Sequence, residues 1–187
     1  MKRRICLSVV VLLSAARPVA ADTWELLNST TGADLSAVAI LSVNDMVVVG
    51  DKSGVAFVIR YTTTGGTTWQ TPSTPGAPVG NNLNALDFTG TTLVAVGKAG
   101  TITRSTDGGA NWNFPVSPTS KELQVVAFVT SNIVVAAGQK DGNDYTVIRS
   151  VDGGVSWPAL NVDLTDPDIN NNGVNLKAIA FNGATVI

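Results

Sequence analysis

Apolar residues in this chain fall into short runs separated by glycine, asparagine and aspartate, and no long stretch has helical periodicity. Leu35 to Leu41, Met46 to Gly50 and Val55 to Tyr61 read as three strands, with a fourth beginning at Trp69. The same series returns as Leu83 to Phe88, Thr92 to Gly97, Thr101 to Ser105 and a strand from Trp112. It returns again as Leu123 to Val129, Ile133 to Gly138, Tyr145 to Ser150 and a strand from Trp157. Leu176 to Phe181 and Ala184 to Ile187 repeat its opening. Trp24, Trp69, Trp112 and Trp157 stand at intervals of 45, 43 and 45 residues. Four short strands per period of roughly 40–45 residues describe a repeat architecture of small antiparallel sheets.

Each period contains one more sharply defined motif. Arg104 to Trp112 reads RSTDGGANW, Arg149 to Trp157 reads RSVDGGVSW, and Tyr61 to Trp69 reads YTTTGGTTW, with Thr64 where the others have Asp107 and Asp152. The hydroxyls of Thr62, Ser105 and Ser150, and the aspartate two residues on, suit hydrogen bonds to the backbone of a tight turn. The glycine pairs 65/66, 108/109 and 153/154 permit positive φ, and the tryptophan brings a large apolar surface to the returning strand. The motif therefore staples a hairpin.

Ser105, Asp107, Gly109 and Trp112, and Ser150, Asp152, Gly154 and Trp157, match the Asp box, or bacterial neuraminidase repeat. Thr62, Gly66 and Trp69 match it without the aspartate. With the preceding strands, the repeat resembles the photosystem II assembly and stability factor-like propellers over about residues 24 to 187. That resemblance implies a non-enzymatic β-propeller of the lumen or periplasm, with seven blades. The expected fold is an all-β propeller segment of about three four-stranded antiparallel blades (35–75, 83–118 and 123–165) and the start of a fourth (176–187). Residues 22–30 are expected to be a ring-closing outer strand. Since propellers have about 4–8 blades, the chain reads as an N-terminal piece of a longer protein, with a ring assembled from short chains as the alternative.

The first 21 residues read as a signal peptide outside the fold. Lys2, Arg3 and Arg4 precede an apolar run from Ile5 to Ala16, and Val19-Ala20-Ala21 supplies small residues for cleavage. The run is shorter than the about 20 residues of a bilayer span, so no stable span is expected after cleavage; an uncleaved anchor is the alternative. Cys6 lies too early in the run for lipid attachment. The expected location is the periplasm or the exterior, or the thylakoid lumen in a photosynthetic host.

Cleavage removes four of the 12 basic residues, leaving eight against 14 acidic ones, about −6 near neutral pH. An acidic chain without basic clusters is a poor ligand for nucleic acid. Cys6 is the only cysteine and there is no histidine. The mature part thus has no disulfide, thiol nucleophile, imidazole base, or thiolate or imidazole metal site. No cofactor is expected.

Two groups of residues remain as candidates for chemistry. Asp107 and Asp152 could act as acid and base, but they recur once per blade on outer hairpins and do not converge. Arg104 and Arg149 share one repeat position, so neighbouring blades should present them in a row able to bind carboxylates or an acidic partner loop. The plainer reading pairs each with a local acid. Arg60 is one residue off that position and should point to the other side of its strand. Asp166, Asp168 and Asn170 alternate like calcium ligands, yet Asn171 and Lys177 stand where an EF-hand needs glycine and glutamate. The reading is an exported scaffold binding a partner protein. The alternative is a secreted sialidase-like or other glycoside hydrolase, whose acid pair would have to span a cleft.

Overall fold

The computed structural model describes residues 31–139, 146–158, 176–179, 181–182 and 185–186. The predicted signal at 1–21, the outer strand at 22–30 and the calcium candidates Asp166, Asp168 and Asn170 lie outside these described residues. The described chain is all-β apart from one 3₁₀ turn at Lys98–Gly100. The strands are β1 (Leu35–Ile40), β2 (Met46–Ser53), β3 (Ala56–Thr62), β4 (Leu83–Thr89), β5 (Thr92–Gly97), β6 (Ile102–Ser105), β7 (Leu123–Phe128), β8 (Val134–Gly138), β9 (Val147–Ser150), β10 (Phe181–Asn182) and β11 (Thr185–Val186).

They form sheets in the orders β1-β2-β3, β4-β5-β6, β7-β8-β9 and β10-β11, all antiparallel. The repeat extends to irregularities. The register slips at one place in the first strand of each three-stranded sheet: Leu35/Ala37, Leu83/Ala85 and Leu123/Val125.

The blades were expected to have four strands, but among the described residues three sheets have three. The segments after Trp69 and Trp112 each meet their own sheet through a single antiparallel bridge, Tyr61 to Gln70 and Arg104 to Asn113, and Ser73 adds one parallel bridge to Asn111 of the next turn. Pro72 and Pro115 follow two residues later. Proline has no N–H for a ladder, so pairing stops almost where it starts. Of Leu176 to Phe181, expected as the first strand of the fourth blade, residues 176–179 belong to no strand, and among the described residues pairing begins at Phe181.

The middle strands show why the units adjoin. Val47, Val48 and Val49 in β2, Val94, Ala95 and Val96 in β5, and Val135, Ala136 and Ala137 in β8 are all buried. A strand whose successive side chains point to opposite faces can bury all of them only if both faces are covered. The covering is supplied by the next unit. One apolar cluster joins Val47, Val49 and Ile59 to Leu93, Ala95 and Trp112, and a second joins Val94, Val96 and Ile102 to Val126, Phe128 and Trp157. Tryptophans of this size bury roughly 150–250 Å² each, about 4–6 kcal/mol of gross burial energy.

Gly154 shows how tight the contact is. Its φ is +86°, and a Cβ there would lie 2.8 Å from Cγ2 of Val94 in the preceding sheet. Gly90, in the β4–β5 turn, also has positive φ (+56°) but open space around it. Gly90→Ala should therefore cost about 1 kcal/mol for the left-handed backbone. Gly154→Ala should cost about 2–4 kcal/mol, because crowding adds to the same strain. Urea unfolding of the two variants measures the difference; equal losses would mean the sheets are not packed this closely.

Candidate functional site

The repeated turns are built alike. The first glycine of each pair donates its N–H to a carbonyl in the first hairpin of its own sheet: Gly65 to Asn44, Gly108 to Thr91 and Gly153 to Asn132, at 2.8–3.0 Å. The buried hydroxyl at the motif's start accepts from the second glycine, Ser105 Oγ from Gly109 N at 3.0 Å and Ser150 Oγ from Gly154 N at 2.8 Å. It also donates to the carboxylate two residues on, at 2.8 Å for Asp107 and 2.7 Å for Asp152.

Each carboxylate then holds the far side of the turn. Asp107 accepts from the backbone N–H and the amide of Asn111, and Asp152 from the backbone N–H and hydroxyl of Ser156. Trp112 Nε1 donates to the Gly109 carbonyl at 2.8 Å, and Trp157 Nε1 to that of Gly154 at 3.1 Å. In the first turn Thr64 Oγ1 takes the aspartate's place, accepting from Thr68 N at 3.0 Å, with Thr62 Oγ1 accepting from Gly66 N at 3.1 Å. In this turn the buried Trp69 Nε1 has no hydrogen-bond partner.

These bonds set the charge state of the acids. Burial works against the ionised form of Asp107, but hydrogen bonds from Asn111, Ser105 and the Ala110 backbone outweigh it and lower the pKa. The hydroxyl and N–H of Ser156, with Ser150 and Val155, bring Asp152 down to about 2. Both are acceptor-saturated anions near neutral pH, which suits a structural brace and not a proton donor.

The arginines separate. Arg104 sits on the side of its sheet that faces the next one, in the cross-strand row Asp87–Val94–Arg104. Its Nε donates to the Gly153 carbonyl at 2.8 Å, spanning the two sheets onto the following turn. Asp87 makes a parallel link by accepting from Phe128 N at 2.7 Å, and the Asn84 amide donates to the Leu123 carbonyl at 2.8 Å. Arg60 donates from Nη1 to the Ile59 carbonyl at 2.8 Å. Arg149, in the matching row Ala127–Val135–Arg149, is exposed.

Among the described residues neither Arg104 nor Arg149 makes the local acid pair that the plainer reading supposes. The inter-sheet roles of Asn84 and Asp87 had no signal in the repeat, whose other copies have Ser36 and Ala39, and Gln124 and Ala127.

A shallow cleft of ≈ 250 Å³ lies beside Arg104, Trp112 and Asn113. It is smaller than most ligand pockets. The described residues hold no cluster of three metal-ligating side chains, and none of their helices is long and apolar enough to cross a membrane.

No family model and no curated protein matches the chain. Solved structures do. YCF48 bound to D1 peptide is similar with a TM-score of 0.55 and 22% identity, covering 70% of this chain and 40% of that one. The fold is that of a β-propeller. This partial propeller is similar also to YCF48 from Cyanidioschyzon merolae (TM-score 0.52, 22% identity, 71% of this chain and 41% of that one). An ancestral GH74 enzyme has a TM-score of 0.54 and 18% identity, covering 73% of this chain and 20% of that one. The propeller described here thus spans less than half the length of each of these structures.

The lowered acid pKa values have a definite pH signature. A carboxylate whose folded pKa lies below its unfolded value of about 3.9 contributes stability above that value. The contribution is lost as pH falls through the folded pKa, about 2 for Asp152. Urea midpoints should therefore stay level near neutrality and fall from about pH 4 toward pH 2, and Asp152→Asn should flatten the decline. Thr64→Asp should stabilise the first turn by about 0.5–1.5 kcal/mol near neutral pH. Thermal unfolding checks this, and an unchanged midpoint would show that the threonine already serves fully.

Proposed function

We propose that this chain is a non-enzymatic, exported propeller scaffold that binds a protein partner. The observation that carries the reading is the fate of its most reactive-looking acids: Asp107 and Asp152 spend their oxygens on their own turns. Glycoside hydrolysis needs two carboxyl groups facing each other across the bond to be cut. These two repeat in step with the sheets instead.

The likeness to a propeller whose structure contains a bound peptide supports the binding role. The basic, apolar and small-residue order of the first 21 residues supports export. The partner is then met in the periplasm or outside the cell, or in the thylakoid lumen of a photosynthetic host. Arg104 is engaged within the propeller, so of the two arginines first considered for a partner, Arg149 is the one that faces solvent.

Two measurements on the secreted full-length product test this. Incubated with a fluorogenic sialoside and with xyloglucan, it should release no product. Chemical cross-linking in the exporting host, read by mass spectrometry, should join it to one exported protein. Hydrolysis that disappears with Asp152→Asn would replace the scaffold by the glycosidase, and cross-links absent at every cross-linker length would remove the partner.

A further inference from the structure

We infer that the outer edge of the third turn, Val155 to Trp157, is a docking slot for one extended, proline-flanked acidic segment of the partner protein. The inference rests on the partner-binding reading and gives that partner a place and a chemistry. Its template lies one turn earlier in the same molecule. There Ser73, which follows the first turn, lies alongside the second: its N–H donates to the Ala110 carbonyl and its own carbonyl accepts from Trp112 N, both at 2.9 Å. The bridge runs parallel, with Ser73 opposite Asn111. A short piece of extended chain thereby adds to the outside of the turn, the geometry of recognition by strand addition.

The third turn presents the same groups with nothing on them. Val155 and Trp157 match Ala110 and Trp112, and among the described residues neither the Val155 carbonyl nor the Trp157 N–H has a hydrogen-bond partner. By position the occupant should be Val116, which stands four residues after Trp112 as Ser73 stands four after Trp69. Val116 makes no such bridge and is 87% exposed.

Its segment is held elsewhere on both sides. Phe114 stacks on Phe57 of the first sheet, with ring centroids 5.2 Å apart. Ser117 and Thr119 lie against Gly100, where an added Cβ would run into the Thr119 carbonyl. Those contacts keep the chain's own segment off the slot.

The surroundings say what fits. In the template Pro72 is buried, and Pro75 lines the cleft beside Arg104 and Trp112. In the third turn the matching Arg149 is exposed, and exposed Val151 and Val155 replace Thr106 and Ala110. An occupant that keeps the first proline and carries a carboxylate where Pro75 stands meets apolar surface at its middle and a guanidinium at its end. A second copy of this chain suits the slot poorly, because its Ser73 is already engaged on its own second turn.

The probe is the dye-labelled peptide TPSTE-amide, which is Thr71 to Pro75 with glutamate in the last place, titrated into the secreted full-length product and followed by fluorescence anisotropy. It should bind saturably at millimolar concentration. In NMR spectra of the isotope-labelled protein the Trp157 amide should shift and exchange more slowly with solvent as it gains an acceptor. The Trp112 amide, already held by Ser73, should not change. Methylating the serine nitrogen of the peptide removes the donor for Val155 and should weaken binding by about 5–10-fold. Arg149→Ala should weaken it by about 2–5-fold, as for an exposed ion pair, and Arg149→Glu should make TPSTK-amide the better ligand. Absence of saturable binding, a peptide that leaves the Trp157 amide unchanged, or affinities indifferent to the methyl group and to Arg149 would each overturn the inference. So would a dimer of the chain that occupies this edge and is not displaced by the peptide. The partner reading is judged separately, since cross-linking in the exporting host does not involve the peptide.

Discussion

No sheet in this chain can cover its own middle strand. The valine and alanine runs of β2, β5 and β8 are apolar on both sides, and a strand of that kind is soluble only between two layers. Each unit is therefore stable through its neighbours, as in other repeat folds, where the interfaces carry much of the energy. The tryptophan of each turn completes the seal: Trp112 belongs to the core shared with the first sheet, and Trp157 to the core shared with the second. Arg104 adds a directional bond across the same seam.

The turns divide the labour that this arrangement requires. A hydroxyl beneath the turn satisfies the N–H of a glycine that must lie against the neighbouring sheet, and a carboxylate outside gathers the returning strand. Buried backbone groups left without partners are costly, so one short motif solves several problems together. Its charge is a consequence of this role. The acids ionise readily because so many donors surround them, and that same saturation makes them poor candidates for catalysis.

Much of the architecture was legible in the sequence because it repeats. The even tryptophan spacing, the glycine pairs and the apolar runs place the three main sheets within a residue or two of their observed bounds, apart from the later end of β2. The fourth strands were overestimated. An apolar start at Trp69 or Trp112 looks like a strand, but Pro72 and Pro115 withhold the donors that a ladder needs. Arg104 and Arg149 were singled out by position alone, which reveals that they are equivalent but not what they touch. What separates them is contact with the next repeat: Arg104 reaches the Gly153 carbonyl while Arg149 is exposed, a long-range fact that no local pattern encodes. Asn84 and Asp87 were invisible for the opposite reason, since they break the repeat.

The proline-ended outer segments bear on how this molecule behaves in company. A sheet normally ends in a row of unpaired donors and acceptors, and that row invites another chain to pair with it. Here the rims of β3 and β6 each receive one bridging residue, and the proline two positions on cannot extend that antiparallel pairing. The rim is shielded without becoming a new template, so two copies that meet sideways find little to zip together.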